Sequence, residues 1–367
     1  RRAMTIKLPT YDGMIVPYQL MGNPLEVRAP KTALSRTAFA AAHVVSDPLK
    51  ERSPWDTRPA IDWDATLNFR TYLWDQGLGL AEAMDTAQRG MGVDWLSAKE
   101  LIARTMRAAK VHPMKPRVAC GAGTDHVALA DLRDADAIIA AYETQMAAIE
   151  AVGGQIIIMA SRAFTSINAS EDLYRKVYRR LIDQAREPVI LHWLGDMFDP
   201  ILQGYWGSAD VELASDFVLD LIGENPGKVD GIKISLLDED HEVRFRKRLP
   251  QGVRLYTGDD FNYAPLIAGD GEHHSHALLG IFAAIAPAAS QALEALAGGD
   301  LDRYNTLFAP TVPLSREIFK APTRFYKAGI AFLSWLNGYQ THFIMPGGFQ
   351  SSREISHYAE VFRLADQ

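Results

Sequence analysis

Short apolar runs alternate with longer stretches of helical period along most of this chain. Eight runs, at residues 38–45, 78–82, 117–121, 155–160, 188–193, 229–234, 253–257 and 277–282, predict strands buried on both faces. Between them the apolar positions recur every three to four residues. Residues 137–149 form one such helix, closed by Gly153 and Gly154. Another begins at Ser170, an N-cap followed by Glu171 and Asp172, and runs to Ala185 before Pro188. Strands alternating with helices in this way predict an α/β fold, a (β/α)8 TIM barrel. A doubly wound open sheet is the alternative, but no G-x-G-x-x-G turn supports it.

The pattern changes at both ends. Pro9, Pro17, Pro24 and Pro30 interrupt short apolar pieces and predict an N-terminal extension over 1–35, an arm or small hairpin. The barrel would occupy 36–290 as the catalytic domain. Beyond Pro287 only helical patterns remain, which predicts a C-terminal helical subdomain over 291–367.

Composition narrows the function. With 367 residues, 48% of them hydrophobic and 23% charged, the chain can bury a full core without a disulfide or metal staple. A net charge of -7 and the lack of a basic patch argue against nucleic acid. No run approaches the ~20 apolar residues of a membrane span. The single Cys120 lies in an apolar stretch, as a buried structural thiol would, and fits a reducing compartment. With no signal peptide before Met4, a cytoplasmic location is expected.

Candidate chemistry starts at Lys233. A lysine ending an apolar strand is paired, snorkels to water, or is used uncharged as a nucleophile toward carbonyls. In a TIM barrel the carboxyl ends of the strands form the active site. Polar residues there include Glu82, Asp85, Thr86 and Gln88 after the second strand and Asp125 and His126 beyond the third. Ser161 follows the fourth, His192 lies on the fifth, Ser235 follows Lys233, and Tyr256, Asp259 and Asp260 belong to the seventh. Gly121-Ala122-Gly123-Thr124 could cradle a phosphate. The segment 197–206 could form a lid.

Gly231-Ile232-Lys233 followed by Asp238, then Thr257-Gly258-Asp259-Asp260, Pro287 and Gly299-Asp300-Leu301-Asp302, resembles the dihydrodipicolinate synthase and N-acetylneuraminate lyase superfamily. More narrowly the chain resembles its DUF993 branch, from about residue 36 to the C-terminus. The resemblance implies a barrel with C-terminal helices, assembled as a homodimer or homotetramer. It implies that Lys233 forms a Schiff base with a keto compound, so that the imine acts as an electron sink for cleavage or dehydration. His192 stands where the family has a proton-relaying tyrosine, with Tyr256 as a possible helper; alternatively His192 is merely hydrogen-bonded beneath Trp193. Asp259 and Asp260 match an acidic pair that accepts hydrogen bonds from substrate hydroxyls in sugar-acid members, with Glu82 assisting; alternatively they only turn the chain. Residues 83–90 replace the family's G-T-T-G-E stretch, which argues against pyruvate.

The expected function is therefore a class I (Schiff-base) lyase acting on a small sugar-derived substrate, without cofactor. One alternative is a metal-dependent lyase or isomerase. Glu82, His126, His192 and one of Asp125, Asp196 or Asp259 would then hold Zn or Mn, with Lys233 as a base. The other is a catalytically inactive barrel used for ligand binding.

Overall fold

The computed structural model describes residues 4–50 and 58–367. Strands β1 (Thr5–Pro9) and β2 (Ile15–Gln19) form an antiparallel hairpin, joined through Gly13 at φ 81°. Its last residues are tied to the other end of the chain: Asp366 accepts from the Tyr18 hydroxyl and the Met21 amide, both at 2.8 Å.

Eight parallel strands then close into a barrel, each paired with the next in sequence and the last with the first. They are β3 (Ala38–Ala41), β4 (Gly79–Glu82), β5 (Val118–Ala122), β6 (Gln155–Ile158), β7 (Val189–Leu194), β8 (Val229–Ser235), β9 (Arg254–Thr257) and β10 (His276–Leu279). All eight expected strands form. The eighth ends earlier than its apolar run suggested. After Gly280 the chain turns into the helix Ile281–Ala284, whose first amide donates to Asp260 Oδ1 at 3.1 Å.

Side chains alternate across each strand and divide the core in two. Phe39, Ala41, Ala81, Ala119, Ile157, Ile190, Tyr256 and Leu278 fill the barrel interior. The opposite faces, with Leu80, Cys120, Leu191, Ile232, Ile234 and Leu255, pack in the larger shell beneath the surrounding helices. Cys120 is buried there, and burial raises its thiol pKa.

Helix caps follow the sequence: Asp62, Asp94, Asp134, Ser170, Asp210 and Asp238 each accept a first-turn amide. After β10 the chain is helical, with the longest elements at Ala286–Ala297, Lys327–Leu336 and Ile355–Asp366. Among the described residues, no helix is long and apolar enough to cross a membrane.

Candidate active site

Strand alternation decides which polar residues reach the barrel axis. On β8, Ile232 and Ile234 face the helices, so Gly231, Lys233 and Ser235 face inward. On β7, Leu191 and Trp193 face outward while Ile190 and His192 face inward. The parallel register sets His192 beside Lys233. His192 Nε2 lies 3.2 Å from Ser235 Oγ.

Gly258 makes room for the lysine. Its amide donates to Ile234 O at 2.8 Å, extending the β8–β9 pairing past the end of β9. A Cβ at this position would lie 2.1 Å from Ser235 Oγ, 2.8 Å from Lys233 Cε and 2.9 Å from the Ile234 carbonyl. Gly258→Ala should therefore displace the lysine stem. Its expected result is a folded protein, by far-UV circular dichroism, that no longer forms a reducible carbonyl adduct; undiminished adduct yield would contradict this placement.

Burial lowers the pKa of the Lys233 amine below the ordinary lysine range, against the pull of the Asp260 and Asp85 carboxylates, which favour the ammonium. Burial also pushes the Asp260 carboxyl up to about 7, with Asp259 adding to the rise and the Ile281 amide and Lys233 opposing it. Both partners are thus driven toward their neutral forms. For His192, burial first and the Lys233 charge second hold the pKa well below the usual imidazole value. Both effects favour the neutral imidazole.

Above this group lies a cavity of about 350 Å³, lined among others by Asp85, Thr124, Ser161, His192, Phe198 and Lys327. Lys233 is adjacent to the wall rather than on it. It connects to the cavity through His192 beside it and through Asp85, which is within its electrostatic reach. Phe198, Asp199 and Leu202, from the segment expected to form a lid, complete one side.

Two expected site residues lie elsewhere. Glu82 follows the parity of Leu80 and points outward, where it pairs with Arg70 at 2.9 Å and accepts from Thr105 Oγ1 at 2.6 Å. Both members of the pair are fully buried, so Glu82 is a structural carboxylate with no route to substrate. Tyr256 points inward but toward the opposite end of the barrel, where its hydroxyl donates to Asp230 Oδ2 at 2.6 Å. Gly231 accommodates its ring, since a Cβ there would lie 2.6 Å from it. Tyr256 is thus part of the barrel floor and cannot relay protons to Lys233.

Others support the mouth. Asp259 Oδ1 accepts the Phe261 and Asn262 amides at 2.9 Å, and its Oδ2 accepts from Asn262 Nδ2 at 3.0 Å. It turns the chain, and its oxygens are committed. Gln88 Nε2 donates to Met91 O and Pro346 O, both at 2.9 Å, fixing the loop after β4 to the C-terminal segment. Thr86 Oγ1 is 2.8 Å from the Tyr326 hydroxyl. Asp125 pairs with Arg89 at 2.6 Å and accepts from Gln145 Nε2, which also meets His126 Nδ1 at 2.9 Å. Burial opposes it, yet Arg89 and Gln145 hold the Asp125 carboxyl below its usual range. Ser161 caps the short helix Arg162–Ser166, and its Oγ is 2.7 Å from Thr124 Oγ1.

The metal-ligand set considered from sequence does not converge, because Glu82 faces away from His192 and Asp125 is bound to Arg89. No three His, Cys, Asp or Glu side chains are grouped to hold an ion among the described residues. Sequence reasoning missed Lys327 and Arg324, both on the cavity wall. Lys327 carried the same signal as Lys233, a lysine leading a buried apolar run, Ala328-Gly329-Ile330-Ala331-Phe332.

The fold is that of solved dihydrodipicolinate synthases. The enzyme from Aquifex aeolicus superposes with a TM-score of 0.66 at 13% identity, covering 89% of this chain and 96% of its own. The enzyme from Bacteroides thetaiotaomicron gives 0.65 at 14%, covering 90% and 99%. One from Bacillus anthracis gives 0.64 at 15%, covering 90% and 97%. The chain itself belongs to the DUF993 family, described as a protein of unknown function, whose model matches residues 6–367. No curated protein sequence matches it.

Proposed function

We propose that this protein is a class I lyase that forms a Schiff base between Lys233 and a small, sugar-derived keto compound. The observation that carries the reading is an inward-facing lysine amine, biased toward its neutral form by burial and set beside a neutral imidazole under a cavity. The likeness to dihydrodipicolinate synthases is consistent with it.

The neutral amine would add to the carbonyl carbon, and the resulting carbinolamine, taking up one proton from solvent, would lose water to leave a protonated imine. With that sink in place, His192 would take a proton from a neighbouring hydroxyl as a carbon-carbon bond breaks, giving an enamine; protonation and hydrolysis would release the products and the amine. Removal of a proton and departure of a hydroxide would instead give dehydration through the same imine. Asp85, Thr124 and Ser161 offer hydrogen-bonding groups to substrate hydroxyls in the cavity.

The test is borohydride trapping with a panel of keto sugars and 2-keto acids, followed by peptide mass mapping. An adduct is expected on Lys233 and none in Lys233→Ala. Because only the neutral amine attacks, trapping should increase as pH rises and level off below the pH that an ordinary lysine requires. Asp260→Asn removes a carboxylate that favours the ammonium, so the midpoint should move further toward acid. A folded protein that yields no adduct with any carbonyl, or activity that survives Lys233→Ala, would overturn the reading.

A further inference from the structure

The cavity wall carries more cationic side chains than its carboxylates pair with. Arg89 is bound to Asp125 and Arg162 to Asp199, each at 2.6 Å. That leaves Lys327 and Arg324, neither of which has a carboxylate within ion-pair distance among the described residues, although both line the cavity.

Lys327 is 1% exposed and opens the helix Lys327–Leu336. Its amine has three donors at most, and its hydrogen bonds go to the Arg324 carbonyl at 3.0 Å and the Met91 sulfur, a weak acceptor, at 3.2 Å, while the Tyr326 ring lies 5.2 Å away. Burial drives this amine toward its neutral form, with Asp85 and Asp199 pulling the other way, and an anion in the cavity would complete it as an ammonium. Arg324, one turn earlier, is exposed and rests over the Phe325 ring at 5.0 Å. Its fork of donors is free for an anion. Asp85, also on the wall, acts electrostatically on both Lys233 and Lys327, and Asp199 acts on Lys327. The glycine-rich turn after β5 is a poorer anion seat, because the Gly123 amide already donates to Gln145 Oε1 at 2.6 Å.

We infer that Lys327 and Arg324 form an anion-binding subsite that holds a carboxylate or phosphate group on the substrate, at the mouth of the barrel and apart from the amine. The inference builds on the lyase reading and narrows its substrate class to anionic sugar derivatives. The group would be anchored by the helical tail, while the carbonyl points down toward Lys233.

Calorimetric titration of the full chain tests this with four probes: inorganic phosphate, glucose 6-phosphate, gluconate and uncharged glucose. Binding is expected for phosphate and its ester if the substrate is phosphorylated, or for gluconate if it is a sugar acid, and glucose should bind far more weakly. Arg324→Gln, an exposed change that should not disturb folding, and Lys327→Met should each weaken that binding by about tenfold or more, the size of one charge-assisted hydrogen bond. Lys233→Ala should leave it within about twofold, so anion binding that persists where no Lys233 adduct forms would sink the imine and spare the subsite. The subsite is overturned if no anionic probe binds, or if both tail variants bind it as tightly as the unaltered protein.

Discussion

Arg70→Met should be the most damaging single substitution to stability, costing about 3–5 kcal/mol. Arg70 and Glu82 are each fully buried, with Nε and Nη2 at 2.9 Å from the two carboxylate oxygens. The guanidinium also donates to the carbonyls of His43 at 2.5 Å and Thr66 at 3.2 Å, while the carboxylate accepts from the Ala83 amide at 2.8 Å. Methionine fills much of the arginine's volume but leaves that carboxylate dehydrated without a countercharge. The double change Arg70→Met with Glu82→Leu removes both charges and should recover a large part of the loss, since paired buried charges replaced by apolar groups are often close to neutral. Urea unfolding midpoints for the four proteins of this cycle would measure it. A single-variant loss under about 1 kcal/mol, or a double variant as unstable as the single, would contradict the account.

The second large effect concerns His192. With whichever carbonyl compound traps on Lys233, His192→Phe should lower kcat by ~10²–10⁴-fold, the usual contribution of a positioned acid or base. Borohydride trapping should persist, because imine formation needs only the neutral amine. Tyr256→Phe offers a control. Its hydroxyl is bound to Asp230 at the other end of the barrel, so the change should leave kcat nearly unaffected and cost stability instead. Loss of less than tenfold in His192→Phe would leave this histidine a structural role as the partner of Ser235, since Trp193 faces the other side of the strand.

These expectations differ from a sequence-only account in particular places. The eight strands were legible because runs such as Gln155–Ile158 are apolar on both faces, and so was Lys233, because a lone amine interrupts such a run. The same continuity hides which face each residue takes. In Gly79–Glu82 nothing in the order of side chains says that Ala81 turns inward and Glu82 outward, and a shift of one residue moves a carboxylate from substrate to scaffold. For Tyr256 the facing direction was right and the height was wrong, since its ring tilts down over Gly231. Lys327 leads an apolar run as Lys233 ends one, yet that signal did not make it or Arg324 legible as site residues, for a different reason. Their position depends on how the tail folds back across the barrel, a long-range contact that local pattern does not encode.

Because the wall of the cavity is drawn from two sources, the strand ends with His192 beside Lys233 and the tail with Arg324 and Lys327, the proposed grip and the proposed reaction could drift independently. Changes in the segment Thr323–Phe325 and the first turn after it would retune which molecule is held, with the amine beneath left untouched. Relatives sharing this barrel would then sort by their tails into groups with distinct diets, and a library randomised at those few positions is the shortest route to a catalyst of altered taste.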